Sequence, residues 1–383
     1  MDFSLTPPQA KLRDSIAAMA RDELGRDLAE RDREGRFDSP GWKRCARAGL
    51  LGLTIPEPFG GRGMDALTAA AALEGLGYGS RDNGLHFSLG AQLFGCAMPL
   101  VAFGSEEQKK RFLPGLCSGE RIAALAMTEA DAGSDAYSLR ATAERRGKGY
   151  VLNGRKIYVT NAPIADFAVV LATVDAAKKA HGVTAFVVEK GTRGLKLTAA
   201  VEKMGLRTAQ MGEVLLDDCA VAEENRLGRE GAGLAFFQHA MEWERCLILA
   251  PALGAMQRLL EACRARARER KQFGKPIGAF QHVAAKLVDM QLGLESARLL
   301  LYKAAALKAQ GKSVAMEAAM AKLATSEAWI RAAEDAIQIH GAHGYLAAAG
   351  FERELRDALA SRLYSGTSEI QREVIAHWMG VGA

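Results

Sequence analysis

Hydrophobic positions along the chain change period twice. Up to about residue 121 they recur at helical spacing: Thr6 is placed to cap a helix with Pro7 in its first turn, and Leu12, Ile16 and Met19 then share one face. Glycine-rich turns such as the PFGGRG stretch at 58–63 punctuate this segment. From about 122 to 220, β-branched runs bounded by turn signals take over. The run YVLNGRKIYVT carries Asn153-Gly154 between two apolar stretches, the pattern of a two-residue hairpin, and VTAFVVEK, ending at Lys190, reads as a further strand. A small antiparallel β domain is expected here. Beyond about 232 the helical period returns. Val283, Leu287, Met290, Leu294, Ala297 and Leu301 follow one stripe, and Met316, Met320, Leu323, Ile330 and Ile337 follow another, as in long antiparallel bundle helices.

The order helix, strand, helix, with no internal repeat and no low-complexity linker, predicts an α+β fold, mostly α, of three units packed into one body. Their expected bounds are 1–121 (helical), 122–232 (β) and 233–383 (helical bundle). Composition narrows the class: 383 residues with 49% hydrophobic and 25% charged positions exclude a disordered tail protein, a collagen and a membrane bundle. No apolar run approaches the ~20 residues of a membrane span, and MDFSLTPPQAKLRD has no basic region followed by an apolar one, so neither membrane insertion nor secretion is expected. The cysteines Cys45, Cys96, Cys117, Cys219, Cys246 and Cys263 are scattered, without metal spacing, which predicts free thiols, no metal site and a cytoplasmic location. Fifty Lys and Arg against 45 Asp and Glu give +5, without the clustered basic stripe of a nucleic-acid binder; a slight preference for acidic or phosphorylated partners is all that charge implies.

GxGxxG after a strand, GxxxxGK[ST], HExxH and GxSxG are all absent, which removes the usual signatures of nicotinamide, P-loop, zincin and α/β-hydrolase chemistry. AMTEADAGSD (126–135) instead follows an apolar strand with Thr, Gly, Ser and carboxylates in a turn, which suits donors meeting a polar ligand edge or a plain polar loop. In KIYVTNAP (156–163), period-two alternation puts Tyr158 and Thr160 on one face, suited to a planar heterocycle or to ordinary strand packing. ERKQFGKPI (269–277) ends a helix in basic residues, a Phe and a Gly-Lys-Pro turn.

Glu244 is sharper. Phe237, Met241, Glu244 and Ile248 fall on one helical stripe, so a carboxylate lies on an apolar face, where burial is costly unless the group is paired or used. Glu244 is therefore a candidate base, the alternative being a structural Glu bonded to some Arg. Arg245 is its chain neighbour, but successive helix positions point about 100° apart, so adjacency does not make an ion pair.

Five segments, TEADAGSD (128–135), NGRKIYVTN (153–161), RKQFGKPIGAFQ (270–281), QIHGAHGY (338–345) and SGTSEIQRE (365–373), together resemble the acyl-CoA dehydrogenase family in order and spacing, and the resemblance runs from the first helices to the last residues. It implies a helical N-terminal domain, a middle β-barrel-like domain, a C-terminal four-helix bundle, noncovalent FAD and a homotetramer. By position, Met127, Thr128 and Ser134 would line the flavin, and Tyr158 and Thr160 would stack on it and hydrogen-bond to it, Tyr158 standing where the family more often has Trp. Arg270, Gln272, Phe273, Gln338 and Gly341 would hold the pyrophosphate and adenosine end of a neighbouring subunit's cofactor, and Thr367 and Glu369 belong to the segment that closes over the flavin.

Ser365 departs from the family pattern, since it replaces the glutamate that is the base in relatives resembling medium- and short-chain enzymes. The subgroup resembling isovaleryl- and long-chain enzymes moves that base to the position of Glu244. The resemblance thus implies that Glu244 removes the proton α to a thioester while hydride passes to flavin N5, with Ser365, Arg245 and Tyr364 at the substrate pocket. NGLHFSLGAQLFGCAMPL (83–100) and the EWERC run look most like relatives that oxidise acyl or prolyl groups on a carrier protein. Acyl-CoA oxidation in fatty-acid or branched-chain amino-acid breakdown is the alternative, with electron-transfer flavoprotein as a partner. An FAD oxidase or monooxygenase and a non-catalytic scaffold are further readings of the same fold.

Overall fold

The computed structural model describes residues 4–381. Helix α1 (Pro7–Glu23) begins where the Thr6-Pro7 signal places it, with the Gln9 side chain accepting from the Thr6 N–H at 3.0 Å. It is followed by α2 (Leu28–Glu34), α3 (Ser39–Arg47), α4 (Ala66–Gly79), α5 (Asn83–Gly90), α6 (Met98–Phe103) and α7 (Glu106–Ser118). A π-helical turn, Ala91–Ala97, joins α5 to α6.

The β region comprises β1 (Ala123–Ala126), β2 (Thr142–Arg146), β3 (Gly149–Thr160), β4 (Phe167–Thr173), β5 (Val183–Glu189), β6 (Leu195–Leu197), β7 (Met211–Ala222) and β8 (Arg226–Leu227). The sheet order is β6-β7-β3-β2-β4-β5-β8, with β1 added beside β4 in parallel, a departure from the all-antiparallel expectation. Alternation explains why FAVVLAT is apolar throughout. Phe167, Val169 and Leu171 of β4 face the helices, whereas Ala168, Val170 and Ala172 join a second core with Tyr150, Leu152 and Phe186.

Asn153-Gly154 does not form the expected hairpin. Strand β3 runs through it with a register shift between Leu152 and Gly154, and the reversal occurs earlier, at Gly147 between β2 and β3. The glycine is required by close approach: at φ 148°, a Cβ on Gly154 would lie 2.6 Å from that of Ala141.

Helices α8 (Gly233–Leu247), α9 (Ala250–Glu269), α10 (Gln281–Ala309) and α11 (Ala315–His340) form the C-terminal bundle, followed by α12 (Phe351–Ala360) and α13 (Ser368–Trp378). Between α9 and α10, β9 (Lys271–Gln272) and β10 (Lys275–Pro276) form a small hairpin. On α10, Met290, Leu294, Ala297 and Leu301 are buried as their stripe predicts, with Val283 and Leu287 packed partly against the core. On α11 the expected stripe is corrected: of its members only Ile330 is buried, and the buried face is instead Ala318, Lys322, Thr325, Trp329, Ala333 and Ala336. Small residues let α11 approach its neighbours closely, which leaves the methionines at the margin. Two stretches are long and apolar enough to cross a membrane, Asn83–Phe103 and Gly233–Glu269, and both lie mostly buried inside the protein. All six cysteines are free and buried.

Candidate active site

Glu244 is 8% exposed and faces inward from α8 with Met241 and Ile248. No arginine pairs with it among the described residues; its Oε2 accepts a hydrogen bond from the Ser365 hydroxyl at 2.6 Å. Burial pushes its carboxyl up to about 7, against the lowering influence of the Ser365 bond and the charges of Arg245 and Lys322. Such a group is a stronger proton acceptor than a solvated carboxylate and still ionises near neutrality.

Ser365 has φ 54° and Gly366 φ 85°, so two successive residues sit in the left-handed region, where a non-glycine residue is strained. Three helices hold them there. The Arg245 Nε of α8 donates to Ser365 O at 3.2 Å; Gln371 Nε2 of α13 donates to Ser365 O at 3.1 Å and Gly366 O at 2.8 Å; Lys322 Nζ of α11 donates to Gly366 O at 2.7 Å. Lys322 is 1% exposed, and burial pushes its ammonium down to about 7, with Arg245 adding repulsion. Tyr364 packs its ring on Phe87 of α5, centroids 4.3 Å apart.

The expected cofactor residues of the β region lie together. Thr128 O accepts from the Ile157 N–H at 2.9 Å, which ties the TEADAGSD turn to the Tyr158 strand. Below them, buried Lys156 donates to Met127 O at 3.1 Å and to Glu129 Oε1 at 2.6 Å, and Glu129 also accepts from the N–H groups of Arg140 and Ala141. Ser134 is exposed on the turn, and Thr160 is half-buried at the strand end. A β-bulge interrupts the strand just before these residues: Lys156 pairs with Val214 but Val159 with Gly212, and from there buried Val159 separates exposed Tyr158 from half-buried Thr160. Tyr158, at φ 55°, is 67% exposed.

Just beyond the turn, the Tyr137 ring meets Phe237 of α8, the helix that carries Glu244, edge-on at 5.8 Å. Leu125 of β1 approaches the same place from the other side, against Gly95 of the π turn. Within one chain, by contrast, no hydrogen bond, ion pair or ring contact among the described residues joins Arg270, Gln272, Phe273, Gln338 or Gly341 to these residues. Arg270, Gln272 and Phe273 lie on the β9–β10 hairpin, with Phe273 93% exposed at φ 50°; Gln338 is exposed at the end of α11 and Gly341 follows at φ 62°. Thr367 caps α13 by accepting from the Ile370 N–H at 3.3 Å, and Glu369 stands exposed in its first turn.

Sequence reasoning missed Lys322, Gln371, Tyr137 and Gly95. For Lys322 the signal was available and of the kind that singled out Glu244: a charged residue on the buried stripe of α11, obscured because that stripe is built of alanines.

Comparison with known proteins adds to this geometry. Family models for the acyl-CoA dehydrogenase N-terminal, middle and C-terminal domains match residues 6–120, 124–219 and 231–380. An L-prolyl-[peptidyl-carrier protein] dehydrogenase of Pseudomonas fluorescens is 43% identical over 377 residues, 98% of this chain and 99% of the relative. The structure of the prolyl acyl carrier protein oxidase AnaB superposes with TM-score 0.97 at 50% identity, covering 99% of this chain and 100% of the other. That of PigA with FAD and proline superposes with TM-score 0.97 at 40% identity, covering 100% of both.

Proposed function

The chain belongs to the acyl-CoA dehydrogenase family, and we propose that within it the protein is an FAD-dependent dehydrogenase acting on a prolyl group held as a thioester on a carrier protein. The observation that carries this reading is the buried Glu244 carboxylate bonded to the Ser365 hydroxyl at 2.6 Å, with no arginine partner among the described residues. The named substrates of the similar proteins above support the prolyl group and the carrier.

The residues present fit FAD. Tyr158 offers an exposed ring, and the side chains of Thr128, Ser134, Thr160 and Arg270 have no hydrogen-bond or ion-pair partner among the described residues, leaving hydroxyls for a heterocycle edge and a guanidinium for phosphate. When bound, FAD supplies the hydride acceptor. Glu244 takes the proton α to the thioester carbonyl, which is acidic enough only if charge developing on the carbonyl oxygen meets donors. The N–H of Ser365 has no acceptor among the described residues and is an available main-chain donor beside the base. Each round removes one proton and one hydride from the substrate; a prolyl group needs two rounds to become a pyrrole.

Arg270 and the exposed hairpin serve the cofactor of a neighbouring copy in this reading, which makes the working unit at least a dimer and, with the apolar Val288, Leu292 and Leu299 exposed on α10, a homotetramer. The net charge of +5 favours an acidic carrier.

The test is anaerobic loss of flavin absorbance on adding prolyl-carrier or the matching free CoA thioester, with mass spectrometry of the product. Fast reduction by the carrier form and a carrier-bound mass lower by two hydrogens per round are expected. Equal turnover of the CoA thioester would defeat the carrier assignment. Comparing aerobic with anaerobic reoxidation then separates an oxidase from a dehydrogenase that passes electrons to another flavoprotein.

A further inference from the structure

Helix α8 meets the segment α5–π turn–α6 at two glycines. A Cβ on Gly90 would lie 2.5 Å from Ile248 Cδ1, and a Cβ on Gly95 would lie 2.6 Å from Glu244 Oε1. Glu244 and Ile248 are four residues apart, one turn along a single face of α8. Gly90 and Gly95 are five apart, and at 3.6 residues per turn a continuous α-helix would point them about 140° away from each other. The turn Ala91–Ala97 has the i→i+5 pattern of a π helix, and that extra residue per turn brings both glycines round to α8. Gln92, which lies between them in the chain, is drawn toward β1 instead, where its Oε1 accepts from the Ala123 N–H at 3.0 Å.

We propose that Gly95 is a positioning residue for the proton-accepting carboxylate: the π turn sets bare backbone against Glu244 Oε1 while Ser365 holds Oε2, so the base is fixed between a wall and a hydrogen bond. The inference rests on Glu244 being the base. Glycine weakens a helix interior relative to alanine, so its place in a buried helical segment marks a demand for space. The atom that a new Cβ would strike is the end of a flexible side chain, with Leu125 Cδ2 next at 3.4 Å. An added methyl therefore displaces the carboxylate rather than the backbone: the chain folds, and the base moves off the Ser365 hydroxyl.

The experiment is a double-mutant cycle of Gly95→Ala with Glu244→Asp, whose carboxylate is one methylene shorter. FAD content, flavin-reduction rate at saturating substrate and thermal midpoint are the readouts. Gly95→Ala alone should retain FAD and lower the rate by ~10²-fold, the scale of a misplacement of about 1 Å. In the Glu244→Asp background it should change the rate by under about threefold, because the shorter side chain no longer reaches the methyl. For stability, Gly95→Ala should lower the midpoint with Glu244 present and leave it unchanged or raised in a Glu244→Ala background. Equal losses in both backgrounds, in rate or midpoint, would overturn the proposal, as would a Gly95→Ala enzyme within threefold of the parent. Failure of the underlying reading looks different: near-normal reduction by Glu244→Gln removes the base itself, whatever Gly95 does.

Discussion

The Ser365 hydroxyl donates to Glu244 Oε2 at 2.6 Å, so the position that lacks the family's more usual carboxylate still touches the carboxylate proposed as proton acceptor. A bond from a neutral donor stabilises the ionised form, and here it opposes the burial that pushes Glu244 up to about 7.

Because only the carboxylate form of Glu244 accepts a proton, the flavin-reduction rate should rise with pH through about 7. Ser365→Ala deletes a hydrogen bond to a charged group, worth about 1.5–3 kcal/mol, and so moves that rising limb to higher pH by about 1–2 units. At pH values above the limb the variant should come within about tenfold of the parent. Stopped-flow reduction across pH 6–9 checks this; an unmoved limb would mean that the hydroxyl does not bear on the ionisation of the base.

Glu244→Gln keeps the size of the side chain and removes the proton acceptor. FAD content and assembly should persist, while reduction falls ~10²–10⁴-fold. Stability supplies an independent readout. A carboxyl raised from 4.5 to about 7 in the folded chain contributes stability that is present below 4.5 and lost as pH rises through about 7, because the unfolded chain ionises first. Glu244→Gln should therefore flatten the fall in thermal midpoint across that window, leaving the similar share of Asp357, which burial also pushes up to about 7.

Lys322 grips Gly366 O from α11, and its charge favours the ionised form of Glu244. Lys322→Met should loosen the left-handed Ser365-Gly366 pair while Gln371 and Arg245 still hold it, so the rate at saturating substrate should drop about tenfold to a hundredfold with little change in KM. The pH limb should again move upward. A rise in KM alone, with kcat kept, would assign Lys322 to substrate binding instead.

How far the sequence foretold this site depends on the physical range of each signal. Glu244 was legible because burial of a carboxylate on an apolar stripe is a local property of one helix, and so was the Thr6 start of α1. Asn153-Gly154 misled because glycine serves a turn and a close approach to Ala141 equally well, and only the partner strand distinguishes the two. The bulge beside Tyr158 is likewise set by pairing with β7. Lys322, Gln371 and Arg245 converge on two carbonyls from three helices, and the Arg245 bond to Ser365 spans 120 residues of chain, a relationship that no local period encodes.

The hairpin bearing Arg270 yields the last prediction. Its guanidinium is exposed and has no hydrogen-bond or ion-pair partner among the described residues, the Thr128–Tyr158 surface of its own chain included. If it grips phosphate on a neighbouring copy's FAD, Arg270→Ala should weaken cofactor retention by about 1.5–3 kcal/mol, or ~10–10²-fold in Kd, without altering the pH limb set by Glu244. Tyr158→Ala should weaken retention from the other half of the same site. A pair of copies carrying one variant each then holds one site with both defects and one with neither, whereas each variant alone has every site damaged. Mixing the two apoproteins under conditions of subunit exchange, then adding limiting FAD, should restore tight binding to about half the sites of each mixed pair. Flavin titration measures that recovery directly. Absence of recovery, with mixed assemblies verified by mass, would place Arg270 on its own chain's cofactor or leave it a surface residue.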